Sequence, residues 1–356
     1  DYTHHVWQYI QRLGLQIVFT VVPERSVARV YPPERFPNTK FISVLTGYVP
    51  INLEIGDAYI PPSRRSLVVG YRGRRLPIRY GVLGFEKILI GQMVANYCKQ
   101  NGIAHDIAWD EGSRIYGDQW NSFLRSCRSM LGTESGSNIF DWNGDTDAIL
   151  ASYKESHPYA SDEEMYEAIL APCEIDGIMN QVSPKIFEAI AARTALVLFE
   201  GSYSGVLSPG RHYISLKKDG SNIGHVFDLL NDDDYVDQLV DNAFKDIICS
   251  GRYSYQRFVS NVDDHLSVRY EELALGMLPS FSQIHEKNRT LETITTGPII
   301  SESPLLRVLD YRFLEWNGNL RITIPIGKLW ASLPESARSV LSPFAIRLKN
   351  MFIPKE

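Results

Sequence analysis

A chain of 356 residues is longer than a single hydrophobic core usually supports, and at roughly 150 residues per domain it predicts two domains facing a cleft. Its 44% hydrophobic and 22% charged residues exclude a disordered, collagen-like or disulfide-scaffold chain, and 36 Lys plus Arg against 42 Asp plus Glu give a net charge of -6, with no global field to draw nucleic acid. Cys98, Cys127, Cys173 and Cys249 form no C-x-x-C pair, so neither a zinc knuckle nor a redox motif is indicated and a reducing cytoplasmic compartment is expected. No apolar run reaches the roughly 18 residues of a membrane span, and the first residues lack a basic-then-apolar secretory pattern.

The chain opens on Asp1, directly before a helical pattern at Val6, Tyr9, Ile10 and Leu13 that Gly14 ends, which reads as a first domain missing its natural start. Residues 15–22 (LQIVFTVV) and 41–48 (FISVLTGY) read as buried strands. No acid occurs between Asp57 and Glu86, and the turn-rich Pro61, Pro62, Arg64 and Arg65 mark a domain junction. A second domain follows: strand 67–71, helix 85–100, strand 106–109, helix 117–125, strand 129–132, then a loop insertion over 137–160. Ser161 and Glu164 form a capping box for a helix with Met165, Tyr166, Ile169 and Leu170 on one face. Ser183 and Pro184 suit the N-cap and first position of a further helix, followed by strand 195–199. Residues 233–249 carry Val236, Leu239, Val240, Ala243, Phe244, Ile247 and Ile248 along one helical face, and the acidic run 232–234 is that helix's first turn. This alternation predicts the α/β class, with doubly wound parallel sheets covered by helices on both faces. Further on, residues 305–314 are apolar in patches, 320–326 alternate like an edge strand, and 335–352 resemble an amphipathic helix.

The strongest local anomaly is Val69-Gly70-Tyr71-Arg72-Gly73-Arg74-Arg75 at the carboxyl end of a predicted strand, with Lys87 at the start of the next helix. Ligands of open α/β sheets bind at such strand ends, glycine lets backbone approach closely, and guanidinium groups grip phosphate oxygens in pairs. Six arginines fall between Arg64 and Arg79, so the segment reads as a diphosphate site; the structural alternative is a solvated basic loop, and nucleic acid is a weaker option. It is neither a G-x-G-x-x-G fingerprint nor a phosphate loop ending in G-K-[ST], which argues against NAD oxidoreductases and ordinary ATPases.

The run from Ser183 to Glu200 (SPKIFEAIAARTALVLFE) resembles the S-P-x-x-F-E-A block of group-1 type glycosyltransferases related to spore-maturation glycosyltransferases, which have two Rossmann-like domains (the GT-B fold). The resemblance runs from about residue 66 to 259, with Gly205 to Asp219 similar to the segment that closes the donor site. It implies that 1–63 are the remnant of an acceptor-side domain, 64–276 a nucleotide-sugar-binding domain with an insertion at about 137–180, and 277–356 an extension. It implies further that Glu188 accepts hydrogen bonds from the ribose, that the helix start at Ser183 and Pro184 faces the diphosphate, and that Gly70, Arg72, Gly73, Arg74 and Lys87 hold the donor phosphates. Arg72 and Lys87 would then stabilise the leaving group.

One departure concerns the acid that many relatives carry eight positions before the ribose glutamate, because Asn180 stands there. Glu134 either supplies that carboxylate or is a surface loop residue, and the stereochemistry stays open. An acceptor base, if needed, is sought among His4, His5 and the Thr46-Gly47-Tyr48 loop. Asp145 and Asp147 (DTD) fall in the insertion, so no metal ligand set and no cofactor beyond the nucleotide-sugar donor are expected. The expectation is a cytoplasmic hexosyltransferase-like enzyme that moves a sugar from a nucleotide-diphosphate donor to a glycan or lipid-linked acceptor. No nucleic acid is expected, and the tail at Arg338, Arg347, Lys349, Phe344, Met351 and Phe352 is offered either to the inner face of a membrane or to interdomain packing. The alternatives are a nucleotide-sugar epimerase on the same fold and an inactive nucleotide-sugar-binding protein.

Overall fold

The computed structural model describes residues 3–49, 59–277, 312–316 and 319–323. The chain divides into two compact units, Asp1–Ser260 and Asn261–Glu356.

The first unit begins with helix α1 (Thr3–Leu13), strand β1 (Ile17–Thr20), helix α2 (Glu24–Val30) and strand β2 (Lys40–Ser43), and the two strands pair in parallel with Ile17 opposite Lys40. Gly14 leaves α1 at φ 60°, as its position in the sequence predicts. The buried face of α1 is the expected one only at Ile10. Thr3, Trp7 and Ile10 face inward, whereas Val6, Tyr9 and Leu13 are exposed. The indole N–H of Trp7 donates to the Val30 carbonyl at 2.8 Å, and Trp7, Val22, Val30 and Phe36 close a core with Phe140, Ile178 and Met179 from far along the chain. A tryptophan that satisfies its own donor while burying its ring outweighs three aliphatic or phenolic side chains that stay wet.

The larger sheet comprises β3 (Leu67–Arg72), β4 (His105–Ala108), β5 (Cys127–Gly132), β6 (Ala195–Phe199) and β7 (Ile214–Leu216), all parallel, in the order β4-β3-β5-β6-β7. Helices α3 (Val82–Asn101), α4 (Gly117–Ser126), α7 (Pro184–Ala191), α8 (Ile223–Asn231) and α9 (Asp233–Ala243) supply its cover; α5 (Thr146–Ser156) and the one-turn α6 (Asp162–Met165) lie between β5 and α7 in sequence. The β6 run ALVLF is apolar at every position because both its faces are covered. Ala195, Val197 and Phe199 join Ile90 and Val94 of α3, Phe227 and Leu230 of α8 and Leu239 of α9. Leu196 and Leu198 join Leu124 of α4 and Ile186, Phe187 and Ile190 of α7. Each fully buried side chain of this size contributes about 1.5–3 kcal/mol, so the helix carrying Ser183 and Glu188 is anchored by three such residues. The expected α/β class, with parallel strands and helices on both faces, is the fold observed.

Two sequence expectations change here. The region 137–160 is not a plain loop, because α5 occupies 146–156; none of its residues is buried, so it carries no apolar stripe to read. The Ser161 capping box is present, with Glu164 N–H donating to Ser161 Oγ at 3.1 Å and Ser161 N–H to Glu164 Oε2 at 2.7 Å, but regular α-helix ends at Met165 and continues as a π-helical turn, Tyr166–Leu170. Likewise α9 passes into a π-helical turn, Phe244–Cys249, with Asp232 capping its start.

Helix α10 (Tyr255–Met277) runs from the first unit into the second, where β8 (Arg312–Trp316) and β9 (Asn319–Thr323) pair antiparallel. The expected helix over 335–352 lies outside the described residues. Among the described residues no helix is long and apolar enough to cross a membrane.

Candidate functional site

Numbered by their order within the larger sheet, the strands run 2-1-3-4-5, which puts the reversal of winding between β3 and β5. Crossovers leave that point on opposite faces, so the carboxyl ends of these two strands diverge into a crevice that no connection covers. A cavity of about 180 Å³ lies there, lined by Gly73 and Arg74 after β3, Thr133 and Ser135 after β5, Lys87 of α3, and Ser183 and Lys185 at the start of α7.

Three cations and the hydroxyl-bearing residues Thr133, Ser135 and Ser183 therefore line one small space. Lys87 Nζ donates to Glu134 O (3.0 Å), Ser135 Oγ (3.2 Å) and Thr133 Oγ1 (3.4 Å), none of them an acid side chain. Burial, and then the neighbouring charge of Lys185, push its pKa down to about 8, with Glu86 opposing. Glu86 itself is committed elsewhere: Lys218 Nζ lies 2.6 Å from its Oε1. Lys185 Nζ donates to the Arg72 carbonyl at 2.7 Å and sits over the Trp120 ring at 5.6 Å, and its pKa is also lowered, chiefly by burial. Lys87 is disfavoured as an ammonium by burial and by Lys185, and the more exposed Lys185 by its surroundings and by Arg114 and Arg74, with Glu188 opposing; an incoming anion would offset the repulsion among these cations.

The expected phosphate ligands are thus only partly together. Gly73, Arg74, Lys87 and Ser183 meet at the cavity, whereas Arg72 does not. Its Nη1 and Nη2 reach Asp106 Oδ1 and Oδ2 at 2.8 and 2.7 Å, and its guanidinium lies 4.3 Å from the Phe123 ring centroid. A guanidinium held bidentately by a carboxylate on the neighbouring strand is not free to clamp phosphate. Gly70 is a packing glycine: a Cβ there would collide with Cys127 Sγ and lie 2.9 Å from Phe123 Cζ, so the start of β5 and α4, not a ligand, explain it. The basic run is also less naked than its local composition implied, since Arg79 pairs with Asp147 (2.7 Å) and buried Arg65 donates to the carbonyls of Ile60, Cys127 and Ala192 and to Thr194 Oγ1.

Ser183 caps α7 by position, but its side chain makes no capping hydrogen bond, and Pro184 is covered by Gly47, whose Cβ would lie 2.9 Å from Pro184 Cβ. The Thr46-Gly47-Tyr48 loop therefore seats on the start of α7, with Thr46 Oγ1 donating to the Val182 carbonyl and Tyr48 stacked on Phe258. Glu188, half-buried on the next turn, accepts from Trp120 Nε1 at 2.8 Å. It flanks the cavity through Lys185 and Trp120 rather than lining it. His4 joins Gln8 (2.8 Å) and the Trp142 carbonyl (3.3 Å) on α1.

Glu134 is buried, not a surface loop residue. Its Oε1 accepts from Tyr203 N (2.7 Å), Ser202 N (3.1 Å) and Ser202 Oγ (3.0 Å), and its Oε2 from Asn180 Nδ2 (2.7 Å). Sequence reasoning missed Lys185 and Trp120. The one available signal was Lys185 in the first turn of the Ser183-Pro184 helix, three residues before Glu188 on the same face.

No protein family's sequence profile matches the chain, and no curated protein sequence does. Among solved structures, TarM has a TM-score of 0.37 at 12% identity over 72% of this chain and 44% of its own. An S. aureus TarM variant in complex with fondaparinux, alpha-GlcNAc-glycerol and UDP gives 0.36 at 12% identity over 72% and 44%. Sucrose-phosphate synthase from Thermosynechococcus elongatus gives 0.35 at 11% identity over 75% and 61%. The chain spans less than half the length of TarM.

Proposed function

We propose that this chain binds the diphosphate of a nucleotide sugar in the cavity between β3 and β5 and serves sugar transfer from that donor to a hydroxyl-bearing glycan acceptor. The observation that carries the reading is the convergence of Arg74, Lys87 and Lys185 at the sheet's winding reversal, where none of the three forms a direct ion pair with a carboxylate among the described residues. A leaving nucleoside diphosphate gains negative charge as the glycosidic bond breaks, and cations fixed beforehand in a part-buried crevice favour that moment over the ground state. Glu188, one turn along α7 beside Lys185, supports the sequence resemblance that gives it the ribose hydroxyls.

The test is a thermal-shift and calorimetric screen of UDP, GDP, ADP and their hexose conjugates against the full chain. The reading predicts one preferred nucleoside diphosphate whose affinity falls about tenfold in Glu188→Ala with the fold intact and only the modest loss of melting temperature expected from the Trp120 hydrogen bond. Absence of binding by every nucleoside diphosphate would end it.

A second reading, a nucleotide-sugar-binding protein without turnover, is favoured by the saturation of Glu134, which leaves no carboxylate among the described residues that line the cavity. Donor hydrolysis measured in the presence and absence of simple glycan acceptors separates the two.

A further inference from the structure

The hydrogen bonds around Glu134 have a fixed direction. Met179 N–H donates to Asn138 Oδ1 at 2.9 Å, which forces the Asn138 amide to present Nδ2 to its other neighbour, Asn180 Oδ1, also at 2.9 Å. Asn180 must then present Nδ2 to Glu134 Oε2. Backbone N–H groups have no alternative role, so this one donor, Met179 N–H, orients both amides in turn. The other oxygen of Glu134 faces Ser202 N–H, Tyr203 N–H and Ser202 Oγ. Every group that meets this carboxylate arrives as a donor, and only the Ser202 hydroxyl among them has an acceptor lone pair to offer.

What the carboxylate holds is the turn after β6, where Tyr203 and Ser204 both adopt positive φ (45° and 56°), a conformation that non-glycine residues keep only under constraint. Ser204 Oγ in turn donates to Gln181 Oε1 (2.9 Å) and accepts from Val182 N–H (3.0 Å), directly before Ser183. The main chain of Glu134 meanwhile receives Lys87 Nζ. One residue therefore ties the Lys87 wall of the cavity to the wall formed by the start of α7.

We infer that Glu134 is a positioning residue, an acceptor-only anchor that sets the two cationic walls of the cavity, and that its charge is exchangeable with position 180 across a single hydrogen bond. Glu134→Gln places an amide N–H₂ against the N–H₂ of Asn180. Turning Asn180 over moves the conflict to Asn138, and turning Asn138 orphans Met179 N–H. Asn180→Asp sets two carboxylates against each other. In the double variant both conflicts vanish. The amide introduced at position 134 keeps its oxygen toward Ser202 and Tyr203 and donates to the carboxylate introduced at position 180, which accepts from Asn138 as well.

The experiment compares the native protein, E134Q, N180D and the double variant, reading melting temperature and the affinity for inorganic pyrophosphate at pH 7.5. Each single variant is expected to melt earlier and to bind pyrophosphate about tenfold more weakly, with the double variant returning to within about threefold of the native affinity. A core control, Leu230→Ala, is expected to melt earlier while keeping its affinity. A double variant whose losses are the sum of the singles overturns the inference, as does a control that loses affinity in step with its melting temperature. The affinity arm rests on the proposed anion site. If the native protein binds no pyrophosphate, that reading fails, and the melting temperatures alone decide for the relay by recovery or against it by additivity. Should a single variant not fold, recovery of a folded double variant supports the exchange and its failure to fold refutes it.

Discussion

If the cavity is an anion site, its affinity must depend on pH through Lys87. An ordinary lysine titrates near 10.5; here burial and Lys185 bring Lys87 to about 8. That displacement corresponds to about 3 kcal/mol against the ammonium form at this position, at 1.36 kcal/mol for each unit. A bound diphosphate removes the disfavour, so binding and protonation are linked. The group's pKa is lowered in the free protein and raised again by the ligand. Affinity is therefore fully present below about pH 8 and is lost as pH rises through it. Between pH 7.5 and 9.5, where a terminal phosphate has long completed its ionisation, the affinity for a nucleoside diphosphate should fall roughly 20-fold, with about half a proton taken up per ligand at pH 8. Lys87→Arg keeps a charge that does not titrate in this range and should flatten the profile. Lys87→Met should weaken binding at pH 7.5 by about tenfold or more, yet raise the melting temperature of the free protein, because a disfavoured buried charge is gone. Calorimetry in two buffers of different ionisation enthalpy measures both the affinity and the proton uptake. A flat native profile, or an unchanged slope in Lys87→Arg, refutes the linkage.

Other substitutions separate cavity residues from packing residues. Lys185→Met should lower nucleoside diphosphate affinity about tenfold and leave unfolding by urea nearly unchanged, since its one hydrogen bond is to the Arg72 carbonyl. Arg72→Ala should do the reverse: it removes the Asp106 pair and the contact over Phe123, destabilises by about 1–2 kcal/mol because Asp106 is half exposed, and keeps the affinity within about twofold. Gly70→Ala overpacks β3 against Cys127 and Phe123 and should cost about 1–3 kcal/mol in urea unfolding, again with binding retained in the folded fraction.

Much of the sheet is legible because buried parallel strands advertise themselves. The run Ala195–Phe199 is apolar throughout, with the same bounds in sequence and structure, and the helix after Ser183-Pro184 follows from its own start signals. Elements without an apolar stripe are not legible: α5 has no fully buried residue and packs only a half-buried Leu150, and α2 buries only Ser26 and Val30. On α1 the periodicity finds Ile10 but misses Trp7, which outweighs Val6, Tyr9 and Leu13 only once Val30 offers a carbonyl. At the site, Arg74 and Lys87 stand out from local charge, whereas the fate of Arg72 depends on Asp106, 34 residues away. The direction of the Asn138–Asn180–Glu134 relay is likewise a property of two segments brought together, 134–138 and 179–180, and no single stretch of sequence contains it.

All of the proposed chemistry requires that the crevice between β3 and β5 receive a diphosphate. A crystal structure of the full chain with the best-binding nucleoside diphosphate decides this without intermediaries. Phosphate oxygens are expected within hydrogen-bonding distance of both Lys87 Nζ and Lys185 Nζ, with the ribose hydroxyls on Glu188. A nucleotide found elsewhere on the protein, with those two ammonium groups still bonded only to Glu134, Ser135, Thr133 and Arg72, would contradict it.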